Sequence, residues 1–313
     1  MTQQIAIIGG GIAGLAAARK LRAAGHGCTV FDKSRGLGGR MATRRAGEWQ
    51  FDHGAQYITA RGPRFRALVE AWCAAGEAAE WFDGAFVGLP GMSAPARSMA
   101  EGATLVTSCA VTGLRRDSAG WTVLTAAGPA DTPANGRFAA VVLALPAPQI
   151  LPILQSAGID FGELAAVRYA PCWTLMLGFA EPLPWRADYL RPDDGMIAWI
   201  ARNSAKPGRP AGQETVVVQA TADWSRRHLE AVPDAIGAVL LPRFLLATGL
   251  RAAPDYLTAH RWRYALVEQA ADVPCLWDGV ARLAACGDWC LGPRVEAAFD
   301  SGEAAADAVV NGL

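Results

Sequence analysis

The stretch that most constrains this 313-residue chain is its first 32 residues. Gln4-Ile5-Ala6-Ile7-Ile8 is a short apolar, β-branched run of the kind buried in a parallel sheet. Gly9-Gly10-Gly11-Ile12-Ala13-Gly14 follows, so glycines occupy the first, third and sixth places of GxGxxG. Residues 13–24 then predict a helix stopped by Gly25-His26-Gly27, residues 28–31 predict a second strand, and Asp32 closes it 18 residues beyond Gly14. Gly9 permits the tight turn, Gly11 lets backbone approach a pyrophosphate, and Gly14 lets helix and strand pack closely. The helix start at Ile12 and Ala13 directs free N–H groups and partial positive charge at phosphates. Asp32 can accept hydrogen bonds from both ribose hydroxyls and would repel a 2′-phosphate, and Lys33 follows it in the same candidate site. A glycine turn without a ligand would not need the strand, helix and acid in this register. The pattern predicts a dinucleotide site in an α/β, Rossmann-type domain.

The next segment narrows the ligand. Ser34-Arg35-Gly36-Leu37-Gly38-Gly39-Arg40-Met41 puts a second glycine pair and an arginine directly after the ribose acid, for which a plain NAD dehydrogenase has no use. Here the sequence resembles the flavin-containing amine-oxidase superfamily, in which such a segment runs beside the FAD pyrophosphate. The resemblance implies that Gly38 and Gly39 allow close backbone approach and that Arg40 supplies charge. Near the other end, residues 282–286 read as a strand, followed by Gly287-Asp288-Trp289 and by Gly292-Pro293-Arg294-Val295-Glu296-Ala297-Ala298, which leads into a last helix to about residue 310. By the same resemblance Asp288, after Gly287, holds a ribityl hydroxyl. Val295 and Glu296 contribute backbone at a helix start facing the flavin pyrimidine, where the helix dipole would stabilise negative charge. Backbone near Ala110 and Val111 is expected at the adenine. Two halves of one site at opposite ends imply a discontinuous FAD domain, residues 1–65, 100–150 and 272–313. Strand-like runs at 104–106, 111–116, 121–125 and 138–144 suit it.

Composition closes off other classes. Lysine plus arginine (29) balances aspartate plus glutamate (29), leaving no basic excess for nucleic acid or an anionic membrane. Seven cysteines without a CxxC pair, and four histidines without zinc spacing to them, predict reduced thiols and no metal site. No apolar run suits a signal peptide or reaches the ~18 residues of a membrane span. The expectation is a soluble cytoplasmic protein, with the oligomeric state left open.

Residues 66–99 and 151–271 are assigned to a substrate domain. Strand-like runs at 172–179, 196–201 and 215–221 and a helix-like stretch at 234–248 suggest an α+β domain built on an antiparallel sheet. Trp173, Trp185, Trp199, Trp224 and Trp262 collect there, mostly as core. Phe51-Asp52-His53-Gly54-Ala55-Gln56-Tyr57 and His260-Arg261-Trp262-Arg263-Tyr264-Ala265, together with the carboxyl-terminal motifs, resemble the bacterial renalase-like branch of the superfamily. The resemblance covers residues 5–61 and 260–302. It implies noncovalent FAD and an oxidase of off-pathway dihydronicotinamides, the 2- or 6-dihydro isomers of NAD(P), giving NAD(P)+ and reducing O2 to H2O2. Such chemistry needs two rings held face to face and no acid–base pair. Gln56, Tyr57, Trp262 and Tyr264 are the pocket candidates, with Arg261 or Arg263 for a ligand phosphate, while His53 and His260 read as structural. Oxidation of a small amine is the alternative. It is disfavoured because relatives with that activity place a lysine near the flavin, whereas Lys20 lies on the first helix, Lys33 follows the ribose acid and Lys206 reads as part of an exposed loop. Cys290 does not match a covalent attachment motif. A flavin-binding protein without turnover also stays open.

Overall fold

The computed structural model describes residues 2–130 and 136–313. Strand β1 (Gln4–Ile8), helix α1 (Ile12–Ala23) and strand β2 (Gly27–Phe31) form the first βαβ unit. A hairpin of β3 (Thr43–Ala46) and β4 (Trp49–Asp52) follows, then α2 (Pro63–Ala74), a hairpin of β5 (Ala78–Phe82) and β6 (Ala85–Gly88), α3 (Ala94–Met99) and β7 (Thr104–Val106). An antiparallel sheet of β8 (Val111–Asp117), β9 (Gly120–Thr125) and β10 (Gly128–Pro129) precedes β11 (Ala140–Leu143) and α4 (Ala147–Ala157). Next come β12 (Arg168–Phe179), β13 (Tyr189–Leu190), β14 (Ile197–Arg202), β15 (Glu214–Ala220), α5 (Ala222–Arg227), α6 (Pro233–Thr248) and β16 (Tyr256–Gln269). The chain ends with β17 (Leu276–Asp278), β18 (Leu283–Ala285) and α7 (Val295–Gly312).

The first sheet runs β17-β18-β11-β1-β2-β7, parallel except at β17. Its centre is why the opening run is so apolar: Ile5, Ala6 and Ile7 are wholly buried, covered on both faces. The carboxyl end completes the sheet that the amino end begins, because β18 pairs with β11 and β11 with β1. Helices α1 and α7 then pack at backbone distance. A Cβ at Gly302 would run into the Ala13 carbonyl oxygen, and alanines 16, 17, 305 and 306 fill the rest of the seam.

The second sheet is antiparallel, in the order β13-β14-β15-β12-β16. One face packs on α6, with Trp173, Leu175, Leu177, Val216 and Val218 against Ile236, Leu240 and Phe244. Each such aliphatic or aromatic side chain contributes about 1.5–3 kcal/mol on burial. By strand alternation the opposite face carries Thr174, Met176, Val217, Gln219 and Trp262. Met176 and Val217 pack on Trp49 and Phe51 of β4, which fastens this sheet to the segment after Arg40. Strand β16 was not foreseen, because arginines and histidines interrupt its apolar pattern. All seven cysteines are free, and among the described residues no helix is long and apolar enough to cross a membrane.

Candidate functional site

At the amino end the backbone itself builds a cradle. Gly38 N–H donates to Gly10 O at 2.8 Å, and Gly11 bridges Gly38, so the two glycine segments lie side by side. A Cβ on Gly11 would meet nothing within 4 Å, so this backbone faces open space. Helix α1 starts there with no side-chain cap, leaving the first-turn N–H groups of Ile12 and Ala13 aimed outward. Gly9 has φ +114°, and a Cβ on Gly14 would run into the Gly9 carbonyl oxygen. The Asp32 carboxylate is oriented by Gly10 N–H and Ser34 N–H, both at 2.7 Å, and one lone pair on each oxygen remains for a ligand. Lys33 is exposed beside it. Cys109 N–H donates to Asp32 O at 2.9 Å and Ser108 N–H to Ser34 O at 3.0 Å, which brings the turn before half-buried Val111 alongside the acid.

Arg40 and Asp288, assigned separately from the sequence, meet in one bidentate ion pair at 2.7 and 2.6 Å. Burial works against the Arg40 charge, but Asp288 outweighs it and raises the guanidinium pKa. Arg40 lies 5.9 Å from the Tyr169 ring centroid, and Tyr169 meets Tyr264 edge-on at 5.5 Å. Gly287 N–H donates to Ser301 Oγ at 3.1 Å. Half-buried Val295 opens α7, whose first turn has no side-chain cap. The Glu296 carboxylate, buried at 2% exposure, accepts from Gly62 N–H at 2.5 Å, Arg61 N–H at 3.1 Å and Arg294 Nη1 at 2.9 Å. It clamps the 61–62 turn onto α7, so only its backbone is available to a ligand.

Between these ends runs the segment 53–57. Gln56 donates from Nε2 to Asp52 O at 2.7 Å and Gly54 O at 3.0 Å, and accepts from Lys206 Nζ at 3.1 Å. The exposed-loop reading of Lys206 is therefore corrected. The residue is 2% exposed, with Nζ 3.5 Å from Asp52 Oδ2 and 5.1 Å from the Trp81 ring centroid. The cause is Asn203 just upstream, which accepts from Asp52 N–H at 3.2 Å and donates to Gln50 O at 3.0 Å, turning the 203–209 segment inward. Arg209 completes the cluster, its Nε and Nη2 at 3.0 and 2.5 Å from Asp52 Oδ2. Burial opposes the Asp52 charge, yet Lys206 and Arg209 hold its carboxyl below the usual range. Burial lowers Lys206 to about 8 against the pull of Asp52.

Trp262 donates from Nε1 to His53 O at 2.9 Å, and its ring lies 5.0 Å from His53 and 4.6 Å from His260. Burial, then His260 and Arg44, lower His53 to about 3, and burial and Arg44 lower His260 to about 4. Both rings are neutral at ordinary pH. Tyr57 joins a wall of rings: Phe82 at 5.3 Å, Trp199 at 5.8 Å, and Tyr189 stacked on Trp199 at 4.6 Å and 10°. Trp81 meets Trp199 edge-on at 6.5 Å, and the Arg191 guanidinium lies 4.9 Å from the Trp199 ring centroid. Sequence reasoning missed Trp81, Phe82, Tyr189 and Arg191; the Trp-Phe pair just before the Asp83-Gly84 turn could have signalled the first two, and no local pattern marks the others. Arg261 and Arg263, the candidates for a ligand phosphate, both pair with Glu230, at 2.9 and 2.7 Å. The structure thus gathers Gln56, Tyr57 and Trp262 around one segment and sets Tyr264 beside the Arg40–Asp288 pair.

Residues 7–72 match the profile described as NAD(P)-binding Rossmann-like domain, and residues 73–310 match the profile described as Flavin containing amine oxidoreductase. A chain provisionally described as a protoporphyrinogen oxidase from Exiguobacterium sp. 255-15 superposes with TM-score 0.78 at 12% identity over 98% of each chain. Cyclohexylamine oxidase from Brevibacterium oxydans IH-35A superposes with TM-score 0.72 at 13% identity over 99% of each. At such identities the likeness is one of fold. The 4,4'-diapophytoene desaturase of Staphylococcus haemolyticus is 46% identical over 54 residues, spanning 17% of this chain and only 11% of the desaturase.

Proposed function

Because this chain belongs to the flavin containing amine oxidoreductase family and is an FAD-dependent oxidoreductase, we propose that it oxidises 2- or 6-dihydro isomers of NAD(P) to NAD(P)+ in the cytoplasm. The open cradle at Gly11 fits the cofactor, since it is polar backbone without a filling side chain. Gly9, Ile12, Ala13, Gly14, Gly38 and Gly39 would line the pyrophosphate, Asp32 and Lys33 the ribose, and Val111 the adenine. Arg40, Gly287, Asp288 and the backbone of Val295 and Glu296 would hold the ribityl and ring end. Residues 1–65, 100–150 and 272–313 would enclose this cofactor, with 66–99 and 151–271 over the substrate. Bound FAD supplies the two-electron acceptor that links hydride loss by the substrate to reduction of O2. In the net reaction the dihydronicotinamide loses hydride, and O2 gains that hydride and one solvent proton to become H2O2.

The observation that supports this substrate is the wall of planar side chains around Tyr57, and the two histidines that meet Trp262 stay neutral. A dihydropyridine releases hydride without prior deprotonation, so the chain has only to stack, orient and dry its ring. Gln56 offers hydrogen bonds, while Tyr57, Trp262 and Tyr264 offer flat surface. Oxidation of a small amine is the second reading, favoured by buried Lys206 against Gln56. Oxygen uptake by the FAD-loaded protein separates them. Turnover of the dihydro isomers with one H2O2 per donor is expected. Turnover of putrescine or cyclohexylamine alone would overturn the proposal.

A further inference from the structure

At the outer edge of the aromatic wall the chain turns through Arg191 into a cleft of about 270 Å³, lined by Leu190, Arg191, Pro192, Asp194, Arg243 and Leu246. The cleft lies between the loop after β13 and the last turns of α6. We propose that it is an anion subsite for the phosphate-bearing part of the substrate, with Arg191 and Arg243 as its binding side chains; this rests on the dinucleotide reading above.

Charge comes first. Two guanidiniums face one carboxylate, and that carboxylate is already engaged. Asp194 Oδ1 accepts from Met196 and Ile197 N–H at 2.9 and 2.8 Å, and its Oδ2 stands 3.4 Å from Arg243. Arg191 pairs with no carboxylate among the described residues; it donates to the Tyr57 hydroxyl at 3.4 Å. That sets it apart from Arg202, Arg261 and Arg263, each of which carries an acidic partner.

Unanswered donors come second. Arg243 Nε is buried without an acceptor, and so is the indole Nε1 of Trp199, a residue 7% exposed that lies under Arg191. Buried donors are ordinarily paired, so two without acceptors, one on the cleft-lining Arg243 and one beneath Arg191, ask for a ligand rich in acceptor oxygens. A phosphate or diphosphate is that ligand, whereas an ammonium substrate would meet cations. Third, Leu246, 73% exposed, and Pro192 give the cleft an apolar floor for a ribose or base. A planar ring against half-buried Tyr57 and a phosphate at Arg191, whose guanidinium reaches the Tyr57 hydroxyl, describe a nucleotide lying along one surface.

The test is calorimetric titration of the FAD-loaded protein with NAD+ and, separately, with nicotinamide riboside, which lacks phosphate. NAD+ is expected to bind about 10-fold more tightly, the advantage shrinking with added salt. In Arg191→Ala that ratio should fall towards one, with partial recovery in Arg191→Lys, and Arg243→Ala should reduce it as well. Equal affinities in the native protein, or a ratio unchanged in Arg191→Ala, would overturn the subsite. The two proposals fail separately. An Arg191-dependent ratio in a protein that does not oxidise the isomers keeps the subsite and removes the reaction. Oxidation with an Arg191-independent ratio does the reverse.

Discussion

Replacing Asp52 with asparagine should be among the most damaging single changes in the molecule. The Asp52 side chain is fully buried, and so is that of Lys206, while Arg209 is 1% exposed. One carboxylate therefore compensates two cations in a fully buried site, aided by Thr43 Oγ1 at 2.9 Å and Met92 N–H at 3.0 Å. Asp52→Asn would leave both cations unopposed, and losing one member of such a buried set costs about 3–5 kcal/mol. Lys206→Met removes the surplus cation instead. Asp52 loses the long 3.5 Å donation from Lys206 but keeps its two bonds from Arg209, the thioether chain keeps most of the volume, and Gln56 Oε1 loses its donor, so the cost should stay below ~2 kcal/mol. Combining the two should recover part of the Asp52→Asn loss, because the partners are coupled. Urea unfolding followed by tryptophan fluorescence measures this, at neutral pH and equal FAD concentration, since bound cofactor adds stability. The linkage has a definite sign. The depressed Asp52 carboxyl contributes stability that is fully present above its unfolded pKa and is lost progressively as pH falls from that value through the lower folded one. The depressed Lys206 costs stability while charged, so native stability should gain up to ~1.4 kcal/mol per pH unit above about 8, and Lys206→Met should lack that gain. A loss under ~1 kcal/mol for Asp52→Asn, or equal losses for the two single variants, would refute the charge accounting.

Three further changes probe the cofactor end and the histidines. Asp288→Ala leaves Arg40 without its partner and removes a charged acceptor, so FAD retention should weaken by roughly 1.5–3 kcal/mol, read as the flavin-to-protein absorbance ratio after gel filtration; full occupancy would count against the assignment. Gly11→Ala should fold normally yet lose FAD, because its new methyl meets no protein atom within 4 Å. Gly302→Ala should instead lose about 1–3 kcal/mol, because its methyl would enter the Ala13 carbonyl; matching phenotypes for the two would contradict the packing. His53 and His260 are neutral when folded but protonate near 6.5 when unfolded, so stability should fall as pH drops from about 6.5 towards 4. His53→Phe should flatten that slope, and an unchanged acid slope would show that His53 is charged in the native state.

Much of the cofactor end was legible because its signals are local. Glycine spacing, β-branched runs and the helix after Gly292 placed β1, α1, β2, β11, β18 and α7 within a few residues. Contacts between distant segments were not legible. Lys206 sits among Pro207, Gly208 and Pro210, a loop by composition, and only Asp52, 154 positions away, makes its burial tolerable. The Arg40–Asp288 pair spans 248 positions, and two residues each assigned to a ligand turn out to hold one another. The aromatic wall draws on three separate segments, around Tyr57, Trp81 and Trp199, none of which is periodic enough to reveal a shared surface.

Anaerobic mixing of the FAD-loaded protein with 2- and 6-dihydro isomers of NAD(P), and separately with putrescine and cyclohexylamine, reads the substrate directly from the flavin colour. Rapid bleaching by at least one isomer, with NAD(P)+ formed one for one and the amines without effect, is the outcome that follows from the proposed stacking of a flat hydride donor. Colour that persists with every isomer and fades only with an amine would contradict it.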